Sequence, residues 1–277
     1  MALIILESLK AIILGVVEGF TEFLPISSTG HLILVNEFVS FNKNFTFLFD
    51  IVIQLGAILA VAVFLFKKLW PFSKNKEKNK EIWDIWFKTI VGVIPAIIIG
   101  ALFVNKIEEK LFNPWTVALA MLVGGIIILI VEKINHQEKI ESIRQMSFKT
   151  AFYIGLVQCL AIIPGTSRSA ATIIGALIFG ASRVVATEFS FFLAIPTMVA
   201  ASGYSLFKYR NLLDFSQISV LTIGFVISFI VALASVKFLI NYIKKHNFNI
   251  FGYYRIILGI IIIAYFIITL SYEMPSE

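Results

Sequence analysis

Apolar runs of roughly 20 residues recur along the whole chain, separated by short polar stretches, a pattern that predicts membrane-spanning helices. Six runs read as full crossings: 45–66, 89–104, 114–131, 187–207, 217–236 and 253–270, the second of them short. Two further apolar regions, 1–44 and 147–183, are each interrupted by a polar segment that starts at a proline. These segments are Pro25-Ile-Ser-Ser-Thr-Gly-His31 and Pro164-Gly-Thr-Ser-Arg-Ser169, and each places a serine three residues after its proline (Ser28, Ser167). Lipid tolerates almost no such groups unpaired, so the two breaks point to a site held at membrane depth.

The polar stretches orient the chain. Residues 67–88 hold seven lysines against three acidic residues, which the positive-inside rule places in the cytoplasm. Alternation then puts 105–113 outside, 132–149 inside, and 208–216 outside despite Lys208 and Arg210. Lys237, Lys244 and Lys245 place 237–252 inside, and the tail with Glu273 and Glu277 lies outside. By parity 147–183 begins and ends inside, and its arms, roughly 148–163 and 168–181, are short for full crossings. A re-entrant hairpin from the cytoplasmic side is expected there, and a second from the opposite face over 1–44.

The predicted fold is therefore an all-α integral membrane protein, a single polytopic domain over 1–277. It is an inverted-topology repeat with six transmembrane helices plus two re-entrant helix hairpins, repeat one covering about 1–131 and repeat two about 147–270. Gly15-Val-Val-Glu18 leads to Pro25 as Gly155-Leu-Val-Gln158 leads to Pro164, with spacings that differ by one residue. In such architectures the broken helices mark the binding site.

Composition agrees, at 59% hydrophobic and 14% charged residues. The net charge of +6 comes from loop lysines and is an orientation signal, so no nucleic-acid partner is expected. The N-terminal residues lack a basic region and a small-residue cleavage site, and no cleaved signal peptide is expected. Cys159 is the single cysteine, which excludes an internal disulfide. His136 and His246 fall in lysine-bearing loops and read as solvated.

At the breaks, proline ends one helix and the Ser, Thr and Gly residues that follow start another. A helix N-terminus is a ready anion site, and two of them facing one another would hold a polyanion. Ser27, Ser28, Thr29, Thr166, Ser167 and Ser169 add hydroxyl donors. Arg168 carries a planar fork suited to phosphate oxygens, with pairing to Glu18, Glu22 or Glu188 as the structural alternative. Glu18 and Glu22 share one helix face, and two such carboxylates need a cation or a shared proton. A hard divalent ion held between carboxylates and phosphate oxygens fits. His31, one turn beyond Ser28, could take a proton from the serine or attack phosphorus itself. Asp50 and Gln54 open the span after the first break and Glu188 the span after the second, as groups expected to support the site from behind. Pro95 and Pro196 read as kinks.

The run from Glu18 to Leu32 (EGFTEFLPISSTGHL) and that from Pro164 to Ser169 (PGTSRS) resemble the two signature motifs of the undecaprenyl-diphosphate phosphatase family, the BacA type associated with bacitracin resistance. The similarity extends to Ile53-Gln-Leu-Gly-Ala57 and Glu188-Phe-Ser-Phe191; Thr166 and Ala170 stand where larger residues or glycine are also common. The resemblance implies a bacterial inner-membrane enzyme that removes the terminal phosphate of a polyprenyl diphosphate and so recycles the lipid carrier of cell-wall synthesis. It also implies a site reached from the outer face, dependence on a divalent cation (Mg²⁺ or Ca²⁺), and a homodimer. Carried over by position, Glu18, Glu22, Ser28, His31 and Arg168 match the family's site, with Ser27, Thr29, Ser167 and Ser169 in the same motifs. The expected chemistry has Arg168 and the helix starts binding diphosphate, Glu18 and Glu22 holding the ion, and Ser28 attacking with His31 as base. His31 as nucleophile is the competing version. A lipid flippase or ion-coupled transporter is the rival class, because broken inverted repeats also suit alternating access.

Overall fold

The computed structural model describes residues 2–134, 138–208 and 217–273. Among them every regular element is helical, apart from one isolated bridge between Ile140 and Ala181. Helix α1 (Ala2–Thr21) stops short of Pro25, which disfavours helical backbone at the residue before it. The chain restarts as α2 (Ser28–Asn36), then α3 (Lys43–Phe64), the single turn α4 (Phe66–Leu69), α5 (Lys76–Leu111) and α6 (Pro114–Lys133). In the second half α7 (Phe148–Gln158) tightens into a 3₁₀ turn at Cys159–Ile162, Pro164 breaks the chain, and α8 (Arg168–Ile178) begins. Three long helices follow: α9 (Arg183–Lys208), α10 (Ile218–Ile243) and α11 (Asn249–Glu273).

Each of the six expected crossings lies in a helix long and apolar enough to span a bilayer. This is a multi-pass all-α membrane protein. One boundary differs sharply from expectation. The polar stretch expected as a loop over 67–88 is helical from Lys76 onward, and α5 runs 36 residues, about 54 Å at 1.5 Å per residue. That exceeds a hydrocarbon core of about 30 Å, so the lysine-bearing turns project beyond it. Lysine and glutamate mark water, but they are good helix formers and do not end a helix. His136, Arg210 and Glu277 lie outside the described residues, as does most of the 208–216 loop.

Small residues set the closest helix crossings, as lipid-embedded packing favours. On α1, a Cβ at Gly15 would lie 2.8 Å from the Gly224 carbonyl of α10, and one at Gly19 closer still, 2.5 Å from the Ser228 carbonyl. Gly155 of α7 crosses α5 at Gly92, where a Cβ would collide with the Gly92 carbonyl. Helix α10 also packs along α3, α9 packs on α3, α5 and α8, and α6 pairs with α11. The buried centre is aromatic, with Phe23, Phe189, Phe191 and Phe192 excluded from solvent. Ile90, Ile94, Ile97 and Ile98 of α5 form part of the exposed apolar exterior.

Candidate active site

The two proline-led breaks meet. Ser169 Oγ at the start of α8 donates to the Leu24 carbonyl at 2.9 Å, and the Arg168 guanidinium lies 5.5 Å from the centre of the Phe23 ring. Both short helices start in the same way. Ser27 and Ser167 each take φ 70° and cap the helix behind them, accepting from Gly30 N and Ala170 N at 3.2 Å. Among the described residues these are the only non-glycine positions at positive φ, a conformation that costs on the order of 1–3 kcal/mol and concentrates at functional sites.

Glu22 is the hub. Ser28 Oγ donates to Glu22 Oε2 at 2.6 Å, while Arg168 Nη2 lies 3.7 Å from Oε1. Both side chains of the ion pair are at least nine-tenths buried. Arg168 reaches across to α9, where Nη1 donates to the Ser190 carbonyl at 3.0 Å, and Ser190 Oγ accepts from Thr172. Its Nε and Nη2, however, have no hydrogen-bond partner although both are buried. Unpartnered buried donors are costly, and a planar pair of them matches two phosphate oxygens. Arginine is thus held by one edge and open along another.

Glu18 stands one turn before Glu22, is 1% exposed, and leaves Oε2 without a partner. Asp50 of α3 adds to the same negative field and is contacted by Asn36 Nδ2 at 3.5 Å. Among the described residues no three His, Cys, Asp or Glu side chains converge into a metal cage. The residues present still fit a divalent ion of the Mg²⁺ type, which commonly takes one or two carboxylates and completes its shell with phosphate oxygens and water.

His31 is placed differently from expectation. Its Nδ1 lies 2.8 Å from the Ser27 carbonyl and Nε2 lies 2.7 Å from the Tyr254 hydroxyl, with the two rings stacked at 5.5 Å. A carbonyl can only accept, so Nδ1 carries the proton, and in the neutral ring Nε2 accepts from Tyr254. Neither nitrogen bonds Ser28. The side chain bonded to the Ser28 hydroxyl is Glu22, which stands just past the end of α1 and reaches across the break, whereas His31 lies a turn further along α2.

Other expected site residues take varied places. Thr29 is half-buried in the first turn of α2. Ser167 caps α8 and lies 3.0 Å from Ser169, whose own hydroxyl is buried as a tie to Leu24. Gln54 accepts from Ser202 at 3.1 Å and joins α3 to α9. Glu188 is not brought to the site. Both its oxygens bind Lys68 Nζ, at 2.7 and 2.8 Å, because it stands two residues from Ser190 and so on nearly the opposite face of α9. Two residues at the site escaped sequence reasoning, Tyr254 and Arg255 of α11. The available signal was a charged residue near the start of an apolar run, which the estimated boundary at 253 made look interfacial.

Comparison with known proteins gives these breaks a family. Residues 11–261 match the family model described as bacitracin resistance protein BacA. The chain belongs to the BacA family. This BacA-family chain is 53% identical over 270 residues to an "Undecaprenyl-diphosphatase" of Lachnoclostridium phytofermentans, covering 95% of this chain and 98% of that protein. It is 51% identical to "Undecaprenyl-diphosphatase 1" of Clostridioides difficile, covering 95% and 97%. A 48% match to the "Undecaprenyl-diphosphatase" of Enterococcus faecalis covers 93% and 97%. Both broken segments fall inside the matched region.

Proposed function

We infer that this chain is an undecaprenyl-diphosphate phosphatase that releases the terminal phosphate and leaves undecaprenyl phosphate. The observation that carries the reading is the half-open guanidinium of Arg168 beside the Ser28–Glu22 hydrogen bond, an arrangement that offers donors for phosphate next to a hydroxyl paired with a carboxylate. The names of the relatives agree with it.

The side chains divide the work. Arg168 Nε and Nη2 donate to two oxygens of the diphosphate, and the capped starts of α2 and α8 contribute main-chain N–H groups. Glu22 takes the Ser28 proton as Oγ attacks the terminal phosphorus. The bond to the bridging oxygen breaks, undecaprenyl phosphate leaves, and water then hydrolyses the serine phosphate. A divalent ion held by Glu18 and Glu22 would supply charge neutralisation of the diphosphate oxygens. His31, fixed by Tyr254 and the Ser27 carbonyl, orients the start of α2 and stands one turn from the reacting hydroxyl.

The two halves read as an inverted repeat with two re-entrant hairpins in one domain. Three observations support that reading. Ser27 and Ser167 share one backbone conformation and one capping role. Gly15 crosses Gly224 of α10 while the matching Gly155 crosses Gly92 of α5, the helices that correspond in the two halves. Finally, α10 packs on α3 as α5 packs on α9. We take the enzyme to lie in the bacterial plasma membrane with its site opening outward, and to act as a homodimer.

The deciding experiment is to trap labelled phosphoenzyme in detergent and map it. Label on residue 28 supports the mechanism, and label on residue 31 replaces the nucleophile. Substrate turnover with no covalent species at either residue would leave direct attack by water. No phosphate release in detergent, where no gradient exists, would favour a transporter.

A further inference from the structure

Among the described residues Arg255 is the largest side chain with no solvent exposure. Its charge is met by main-chain carbonyls alone, with no carboxylate within ion-pair distance among the described residues. From α11, Nε donates to the Met121 carbonyl at 3.3 Å and Nη2 to the Ala120 carbonyl at 3.1 Å, both on α6. Two further bonds leave the helices. Nη1 donates to the Pro25 carbonyl at 3.4 Å and Nη2 to the Gly165 carbonyl at 3.1 Å. These carbonyls sit in the two breaks, outside any helical ladder, where a buried acceptor must find a donor elsewhere. A single guanidinium therefore joins the segments that lead into Ser28 and into Arg168. Space for it is made by Gly124, where a Cβ would collide with Nη2 and lie 3.0 Å from Cζ.

We propose that Arg255 is a positioning residue for phosphate transfer, and that it sets the Ser28–Glu22 pair against Arg168 by clamping the Pro25 and Gly165 carbonyls. The proposal rests on the phosphatase reading above. An arginine is required because its fork addresses four carbonyls spread over three segments, whereas a lysine presents a compact point charge. Burial of an unpaired cation is tolerated here because it meets four carbonyls, of which those of Pro25 and Gly165 lie outside any helical ladder and would otherwise lack a donor. Arg255 makes its hydrogen bonds to the Pro25, Gly165, Ala120 and Met121 carbonyls and none to Ser28 or Arg168, so its loss shifts the breaks relative to one another without removing a hydrogen bond of either residue. A misplacement of about 1 Å costs on the order of 10²-fold in rate.

The test uses the full chain in detergent with undecaprenyl diphosphate, and compares Arg255→Gln, Arg255→Lys and Gly124→Ala with the unaltered protein. Gly124→Ala leaves Arg255 in the chain but closes the space its fork occupies. The expected result is a kcat lower by about 100-fold in Arg255→Gln and Gly124→Ala, KM within about threefold, and partial recovery in Arg255→Lys. Folded Arg255→Gln or Gly124→Ala with unaltered kcat overturns the proposal. So does a large rise in KM at unchanged kcat, which would make Arg255 a substrate contact. Should Arg255→Gln fail to fold, Gly124→Ala decides. A readout independent of turnover comes from spin labels at Thr29→Cys and Thr166→Cys on a Cys159→Ser background. Clamping predicts a narrow distance distribution that broadens in Arg255→Gln, and an unchanged distribution overturns it even if the unaltered protein releases no phosphate, the outcome that would sink the phosphatase reading itself.

Discussion

Replacing Glu22 by glutamine, assayed at saturating divalent ion so that ion binding does not limit, separates its roles toward Ser28 and toward Arg168. The change preserves shape and leaves an oxygen to accept from Ser28, which lies 2.6 Å away. It removes the capacity to take the proton, and removes the charge 3.7 Å from Arg168 Nη2. Loss of a positioned general base costs typically 10²–10⁴ in rate, or about 2.7–5.4 kcal/mol of barrier. The lost ion pair has a gross Coulomb energy of about 4.5 kcal/mol at an effective dielectric of about 20, but it acts on a different quantity. Glu22 competes with phosphate for Arg168, so its neutralisation leaves the guanidinium more available to substrate. The expected signature is a kcat reduced 10²–10⁴-fold with KM unchanged or lowered. Steady-state phosphate release in micelles measures both constants, and thermal melting confirms the variant is folded. A folded Glu22→Gln within tenfold of the normal kcat would refute the assignment of Glu22 as the base. A raised KM at normal kcat would reduce Glu22 to an anchor for Arg168.

Glu18→Gln removes one of the two carboxylates offered to the ion, and should raise the Mg²⁺ or Ca²⁺ concentration for half-maximal activity at least tenfold; a titration after chelator treatment reads this directly. Ser169→Ala deletes the buried bond to the Leu24 carbonyl and strands that acceptor, at a cost of about 1–3 kcal/mol that a lowered melting temperature would reveal. Glu188→Gln breaks only the partly exposed pair with Lys68, so phosphate release should stay within twofold and melting should barely move; a large loss of kcat would return Glu188 to the site. Tyr254→Phe keeps the ring stacked on His31 but removes its hydroxyl donor, and should be detected by a change in the His31 imidazole NMR signals, whereas Tyr254→Leu should change both signal and rate.

The sequence by itself determined the material of this protein. Apolar runs of bilayer length must become helices, because lipid offers no partner to an exposed peptide group, and the two proline-led segments had to interrupt them. The residues that carry charge and hydroxyls at those breaks were therefore legible, as was the pairing of Glu18 with Glu22 on one face. Helix ends were less so, as α5 makes plain: its lysines announce water while the helix runs on through them. Contacts across the chain belonged to the tertiary structure alone. Ser28 meets Glu22 instead of His31 because the break turns α1 and α2 toward one another, and Glu188 faces Lys68 because it stands on the far side of α9 from Ser190. Arg255, 230 residues from Pro25, joins the site only once α6 and α11 are packed and Gly124 leaves room for its fork. Local pattern is set by what each residue can tolerate in lipid, but which unsatisfied group finds which partner is decided by packing over long sequence separations.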